Sequence, residues 1–156
     1  MATNKFSPYN HFGFLTNRTG RLIVKMMDPE LKRMGYDIPS SCIGILGELW
    51  EKDGLNQKEL GMSIIKTKSS INKMLQYMIA ADLIVKKTDE EDKRVSRIFL
   101  TQKGKELKAK IQKKSKDLND VLELEHSSEE IEIAKKVLTT LYHRLLEKTK
   151  GLNSSK

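Results

Sequence analysis

The chain has 156 residues, enough to bury the core of one domain, and its 38% hydrophobic and 32% charged content is ordinary for a helix-rich soluble protein. The net charge of +8 favours a polyanionic partner, although lysine-rich solvated helix faces give the same balance. The single cysteine excludes an intrachain disulfide, and no apolar run approaches membrane-spanning length, so we expect a cytoplasmic protein without membrane contact.

The first 37 residues are expected to form an arm that contains one long helix. Its apolar residues return at helical spacing between His11 and Met27, which predicts a helix over that range. Pro29 would be costly in a helix interior, so we expect a break near Asp28. Beyond the arm, Ser40 or Ser41 could cap a helix from Cys42 to Lys52.

The segment from Leu55 to Gly104 organises the rest of the chain. Asn56 and Glu59 have the spacing of a capping box, which predicts a helix over Gln57–Ser63. A polar break is followed by a second helix, predicted to end near Ala81, with one apolar stripe. Its opposite face carries short polar and basic side chains and no acid: Ser69, Ser70, Asn72, Lys73 and Gln76.

A predicted β-hairpin follows this helix pair directly. Leu83–Thr88 and Arg94–Leu100 are β-prone runs, and an acidic tip, Asp89–Asp92, lies between them. A helix pair followed by a hairpin is a winged helix-turn-helix. Its second helix can enter the major groove of duplex DNA, and its hairpin can place an arginine in the minor groove.

Two helices are predicted after the hairpin. Thr101 can cap a long helix that runs to about Glu125, and Ser127 with Glu130 forms a second capping box. Apolar stripes on the first and last helices must be buried, and the same helices of a second copy would bury them. The residues expected at this dimer interface are Leu15, Leu22, Met26, Ile131, Leu138, Leu141 and Leu145.

The motif Asp92-Lys93-Arg94, followed by Leu100-Thr101 and Gly104, resembles the MarR family of bacterial transcriptional regulators. The match covers roughly residues 38–107. Two positions depart from the family pattern. Asp82 stands where glycine usually ends the long helix, and Ile65 occupies a turn position where a small or flexible residue is more typical.

The resemblance implies a mainly α fold with a small β-hairpin wing. The winged helix-turn-helix lobe would span residues 38–101, flanked by an arm (1–37) and C-terminal dimerisation helices (102–156). It also implies a homodimeric transcriptional regulator, usually a repressor, that binds a pseudo-palindromic operator in double-stranded DNA without a cofactor. The expected DNA-binding residues are Lys68, Ser69, Ser70, Asn72, Lys73, Gln76, Lys86, Asp92, Lys93 and Arg94.

Some family members respond to small molecules that bind where the dimerisation arms meet the DNA-binding lobe. By that resemblance a small aromatic anion could bind here, with Arg18 as its cation. The alternative is that Arg18 is a surface or interface charge and that the other residues, including the cysteine on the apolar helix face, belong to the core. The residues that would form the pocket are Phe14, Arg18, Leu22, Cys42 and Leu46.

The sequence does not predict catalysis. It contains no nucleophile elbow or glycine-rich phosphate loop, and its histidines lack metal-ligand spacing. The alternative to a DNA-binding regulator is a winged-helix protein–protein module without sequence-specific DNA binding. A regulator should prefer one operator over random duplex by several kcal/mol, whereas such a module should not.

Overall fold

The computed structural model describes residue 9, residues 11–123 and residues 125–153, without the side chains of residues 118, 119, 121–123 and 149–153. The described residues form two compact units, one ending at Lys108 and one beginning at Ala109. The helices are α1 (Phe12–Lys25), α2 (Met27–Arg33), α3 (Ile43–Glu51), α4 (Gln57–Ser63), α5 (Lys68–Ala80), α6 (Gln102–Glu123) and α7 (Ser128–Asn153). The strands are β1 (Leu55–Asn56), β2 (Ile84–Thr88) and β3 (Ser96–Leu100).

The arm breaks near Asp28, as the sequence predicts, but α2 begins before the proline. Pro29 lies in the first turn of α2, where a missing backbone N–H costs little. The predicted serine cap is wrong, because Ser40 belongs to a 3-10 turn (Ser40–Cys42) and α3 follows without a side-chain cap. Asp28 already holds this turn, since its Oδ1 accepts the Ser40 N–H at 2.8 Å.

The core of the first unit lies between helices α3 and α5 and the sheet. Leu46, Ile71, Leu75 and Ile98 are all fully buried. Burying one such side chain stabilises the fold by about 1.5–3 kcal/mol relative to leaving it exposed. The apolar stripe predicted for α5 is therefore the surface that attaches this helix to the lobe.

The sheet has three antiparallel strands in the order β1-β3-β2, where the sequence predicted a two-stranded hairpin. The extra strand is only two residues long, too short to show an alternating pattern, and it pairs Leu55 with Ile98. The return strand also begins later than predicted, at Ser96, because Val95 donates its N–H to the Asp92 carbonyl and closes a turn before the strand. Arg94 consequently lies in a turn.

The start of α6 is fastened to the end of α5. The Thr101 hydroxyl donates to the Asp82 carbonyl at 2.7 Å and accepts the Gly104 N–H at 3.0 Å, so it caps α6 as predicted. Asp82 has a φ of +58°, the left-handed conformation in which asparagine, aspartate and glycine are the best tolerated residues. Trp50 adds a bond from its indole Nε1 to the Gly104 carbonyl at 3.0 Å.

The second unit contains α7, which begins with the predicted capping box. Ser127 N–H donates to Glu130 Oε2 at 2.9 Å, and Glu130 N–H donates to Ser127 Oγ at 3.3 Å. The apolar stripe of this helix is open to solvent, with Leu138 46% and Leu145 52% exposed. No helix in the described part of the chain is long and apolar enough to cross a membrane.

Candidate nucleic-acid interface

Helix α5 is held at its start by three local contacts. Thr67 Oγ1 accepts the Ser70 N–H at 3.3 Å, and the two hydroxyl oxygens are 3.0 Å apart. Gln57, on the first turn of α4, donates its side-chain amide to the Lys68 carbonyl at 3.2 Å. The hydroxyl of Ser70 is therefore engaged in the cap, whereas the neighbouring Ser69 lies exposed on the outer face.

The polar and basic side chains of α5 lie on its outer face, as the sequence predicts. Asn72, Lys73 and Gln76 are exposed, and they lie opposite the buried stripe. Tyr77 is also exposed, at 39%, beside Lys73 on the same side of the helix. The sequence did not single out this tyrosine, because a lone aromatic residue gives no signal that separates a core position from a surface position.

Asp92 and Arg94, the two ends of the family-like motif, form an ion pair at the wing tip. Asp92 Oδ1 accepts both the backbone N–H of Arg94 and its Nε at 3.0 Å, and Oδ2 accepts Nη2 at 3.1 Å. The Arg94 guanidinium holds the pKa of Asp92 below its usual value, and Asp92 raises the pKa of Arg94. Since the Arg94 side chain is 90% exposed, this pair orients the guanidinium without covering it.

A second aspartate, which the sequence did not single out, organises the same loop. Asp89 is only 7% exposed, and its Oδ1 accepts the N–H groups of Glu91 and Asp92, both at 2.9 Å. Its Oδ2 pairs with Arg97 Nε. These bonds, from the Asp92 N–H above all, lower the pKa of Asp89 to about 2. An aspartate that leads into a turn is the available sequence signal for this role.

Arg97 ties the wing to the turn between α3 and β1. Its Nη1 donates to the Gly54 carbonyl at 3.1 Å. Gly54 has a φ of +78°, and the position that a Cβ would take there lies 2.8 Å from Phe99 Cε1. On the other strand, Lys87 Nζ lies 5.4 Å from the centre of the Phe99 ring. The base of the wing is thus anchored to the lobe by the buried carboxylate of Asp89, the guanidinium of Arg97 and the ring of Phe99.

The remaining candidate cations surround these two elements. Lys68 opens α5, Lys86 lies on β2 opposite Ile98, and Lys93 precedes Arg94 in the wing turn. All three lysines are exposed. In the described part of the chain, no group of three or more histidine, cysteine, aspartate or glutamate residues is placed to hold a metal ion.

The five candidate pocket residues fall into different environments. The Arg18 guanidinium lies 5.3 Å from the Phe14 ring centre and 5.9 Å from that of Tyr9. Cys42 and Leu46 are fully buried, and burial raises the pKa of the Cys42 thiol to about 12. Leu22 is 62% exposed. The structure therefore brings Phe14 and Arg18 together and places the cysteine in the core.

Comparison with known proteins gives matches over most of the chain. The family model of the transcriptional regulators SarA/Rot matches residues 31–111. The organic hydroperoxide resistance transcriptional regulator of Bacillus subtilis (strain 168) is 30% identical over 141 residues, which are 89% of this chain and 92% of that protein.

Solved structures share the fold. The MarR protein from Peptoclostridium difficile DA00132 superposes with a TM-score of 0.79 at 20% identity, covering 95% of this chain and 94% of that one. The S. aureus MepR–DNA complex gives a TM-score of 0.71 at 24% identity, covering 86% of this chain and 98% of that one. The predicted fold class, mainly α with a small wing, is thereby confirmed.

Proposed function

Since the chain belongs to the SarA/Rot family of MarR-like winged-helix transcriptional regulators, we propose that it represses transcription as a homodimer bound to one operator sequence. The observation that carries this proposal is the combination of two surfaces. An exposed helix face without acids is followed by a hairpin whose turn presents the oriented, exposed guanidinium of Arg94. This combination suits a major groove and the adjacent minor groove of the same duplex.

The proposed contacts divide into base reading and backbone positioning. Asn72 and Gln76 can form paired hydrogen bonds with adenine edges, and Ser69 can bond to any base. The lysines Lys68, Lys73, Lys86 and Lys93 would contact phosphates, which set affinity without carrying sequence information. Arg94 would enter the minor groove, where narrow A·T tracts concentrate negative potential. Asp92 would hold its guanidinium in place.

The homodimer is proposed from the exposed apolar stripes. No described residue of α1 is buried in the single chain, and Leu22 and Met26 are 62% and 59% exposed. On α7, Leu141 and Leu145 are 37% and 52% exposed. Contiguous apolar surface of this kind marks an interface. A two-fold dimer would present two copies of α5, and a pseudo-palindromic operator would match them.

The test begins with selection of bound sequences from a random duplex pool. We expect one palindrome to be enriched, and fluorescence anisotropy should then show weaker operator binding by Arg94→Ala, by at least about tenfold or 1.4 kcal/mol. Arg33→Ala is the matched control, because Arg33 is also an exposed arginine paired with a carboxylate, that of Glu30. Equal affinity for all duplexes would favour the protein–protein module instead.

We also propose that a small aromatic anion relieves repression by binding near Phe14 and Arg18. The support is local, since the guanidinium already lies against two aromatic rings on the arm. Salicylate-like anions should release the operator from the wild type and less readily from Arg18→Ala, with the exposed Arg21→Ala as control. Such release requires that the anion bind the DNA-bound and the DNA-free conformations of the dimer with unequal affinity. Equal release from all three proteins would remove Arg18 from the site.

A further inference from the structure

The four consecutive acids of the wing tip, residues 89–92, divide into two pairs with different surroundings. Asp89 and Asp92 are each paired with an arginine and bonded to backbone N–H groups. The side chains of Glu90 and Glu91 are exposed and form no hydrogen bond or ion pair within the described residues. Glu91 acts on Arg97 only through its negative charge, which is one of the smaller causes of the raised pKa of Arg97.

The charge balance at the tip is therefore set by the glutamates. Between residues 89 and 97 there are four acids and three bases, Lys93, Arg94 and Arg97. Each arginine is paired with one aspartate, so Glu90 and Glu91 face a single unpaired base, Lys93. The tip, residues 89–97, thus carries a net charge of −1, and Lys86 and Lys87 lie outside it on β2. Phosphates repel such a segment unless the contacts made by Arg94 outweigh the repulsion.

The glutamates are also held close to Arg94. Asp89 bonds to the Glu91 N–H, and the next turn is closed by the bond from the Val95 N–H to the Asp92 carbonyl at 2.9 Å. Glu91 is three residues from Arg94, so their Cα atoms are at most about 11 Å apart. The screening length at physiological salt is about 8 Å, similar to this limit, so the repulsion between these carboxylates and a phosphate near Arg94 should grow as the salt concentration is lowered.

We propose that Glu90 and Glu91 are specificity-determining residues that weaken binding to random DNA more than binding to the operator. This inference rests on the proposed DNA-binding function of the wing. Binding to random DNA comes almost entirely from phosphate contacts, whereas operator binding adds base and groove contacts. On random DNA the wing would be held against the backbone by phosphate contacts alone, whereas on the operator Arg94 would seat it in the minor groove, so the repulsion would cost more free energy on random DNA. Specificity is a difference between affinities, so repulsion can increase it.

The test is the double variant Glu90→Gln/Glu91→Gln, which keeps side-chain size and removes both charges. Anisotropy titrations against the selected operator and a random duplex of equal length should show tighter random binding, by roughly threefold to tenfold, and a smaller gain for the operator. The salt dependence of random binding should become steeper. Glu125→Gln/Glu129→Gln is the control, because it removes two exposed carboxylates outside the wing and changes the net charge equally.

The possible results distinguish a failure of this inference from a failure of the proposed DNA-binding function on which it rests. A wild-type protein that binds operator and random duplex equally would overturn the proposed function. A wild type that discriminates, with an unchanged ratio in the Glu90/Glu91 variant, would overturn only the role of the glutamates. The same loss of discrimination in the control variant would also overturn it, because total charge would then explain the effect.

Discussion

Replacing Gly104 by alanine should destabilise the lobe, because the new methyl group has no room. A Cβ at this position would overlap the carbonyl oxygen of Leu83, and it would lie 3.1 Å from the Leu83 carbonyl carbon and 3.2 Å from Leu100 Cδ2. The Leu83 carbonyl is itself held in place, since it accepts the Thr101 N–H at 3.0 Å. Relief therefore requires α6 to move away from the end of α5.

The magnitude follows from two opposing terms. Overpacking a well-packed site costs about 1–3 kcal/mol, and a clash with fixed backbone belongs at the upper end of that range or above it. Alanine is favoured over glycine in a helix interior by about 0.8–1 kcal/mol, which offsets part of the cost. We therefore expect a loss of at least about 2 kcal/mol in the free energy of unfolding. That is a large share of the 5–15 kcal/mol typical of a domain.

The assay is urea unfolding followed by the fluorescence of Trp50, the single tryptophan, whose indole bonds to the Gly104 carbonyl. Gly47→Ala is the matched control, since Gly47 lies in α3 and, apart from its chain neighbours and the backbone of its own helix, no described heavy atom is within 4 Å of its Cβ position. It should be stabilised by about 0.4–1 kcal/mol. All samples need the same protomer concentration, because the proposed dimerisation would add to apparent stability. A Gly104→Ala midpoint equal to that of the wild type would refute the reasoning.

Three further outcomes are expected. In Asp89→Asn the free energy of unfolding should fall less steeply with acidification than in the wild type. The Asp89 pKa falls from 3.8 to about 2 on folding, so the stability contributed by its carboxylate is present above pH 3.8 and is lost as the pH drops to 2. Urea unfolding midpoints from pH 5 to 2 measure this. Asn72→Ala should lose about 1–3 kcal/mol of operator discrimination, whereas Lys73→Ala should weaken all duplexes alike and flatten the salt slope in anisotropy titrations. Leu138→Asp with Leu141→Asp should give monomers by light scattering, and a wild type that is already monomeric at micromolar concentration would contradict the dimer.

Local sequence signals predicted the elements that carry the interface. The capping box of Asn56 and Glu59 is formed with both of its bonds, and α4 has the predicted bounds. The apolar stripe of α5 is buried as expected, and Met78 rather than Ile79 completes it. These features depend on residues within one or two turns of each other. A single sequence can therefore specify them without knowledge of the tertiary contacts.

Features that depend on distant partners were not predictable in the same way. Arg97 donates to the carbonyl of Gly54, 43 residues earlier, and Asp53 accepts the Leu100 N–H at 2.9 Å across 47 residues. Nothing in the local pattern around Arg97 or Asp53 indicates which distant group completes the contact. The short strand β1 escaped prediction for the same reason, since only its pairing with β3 makes it a strand.

Ile65 lies in the turn that leads from α4 into α5. Its φ of +53° is the left-handed conformation, which costs a β-branched residue about 1–2 kcal/mol or more, and its side chain is 65% exposed, so burial offsets little of that cost. The turn is held locally at the end of α4, where the Lys66 N–H bonds to the Gly61 carbonyl at 3.0 Å. At the other end of α5 the left-handed residue is Asp82, whose carbonyl is held by Thr101. The angle at which the lobe presents α5 is therefore set by backbone geometry on both sides of the helix. Substitutions there should alter DNA affinity without removing any group that is proposed to contact the duplex.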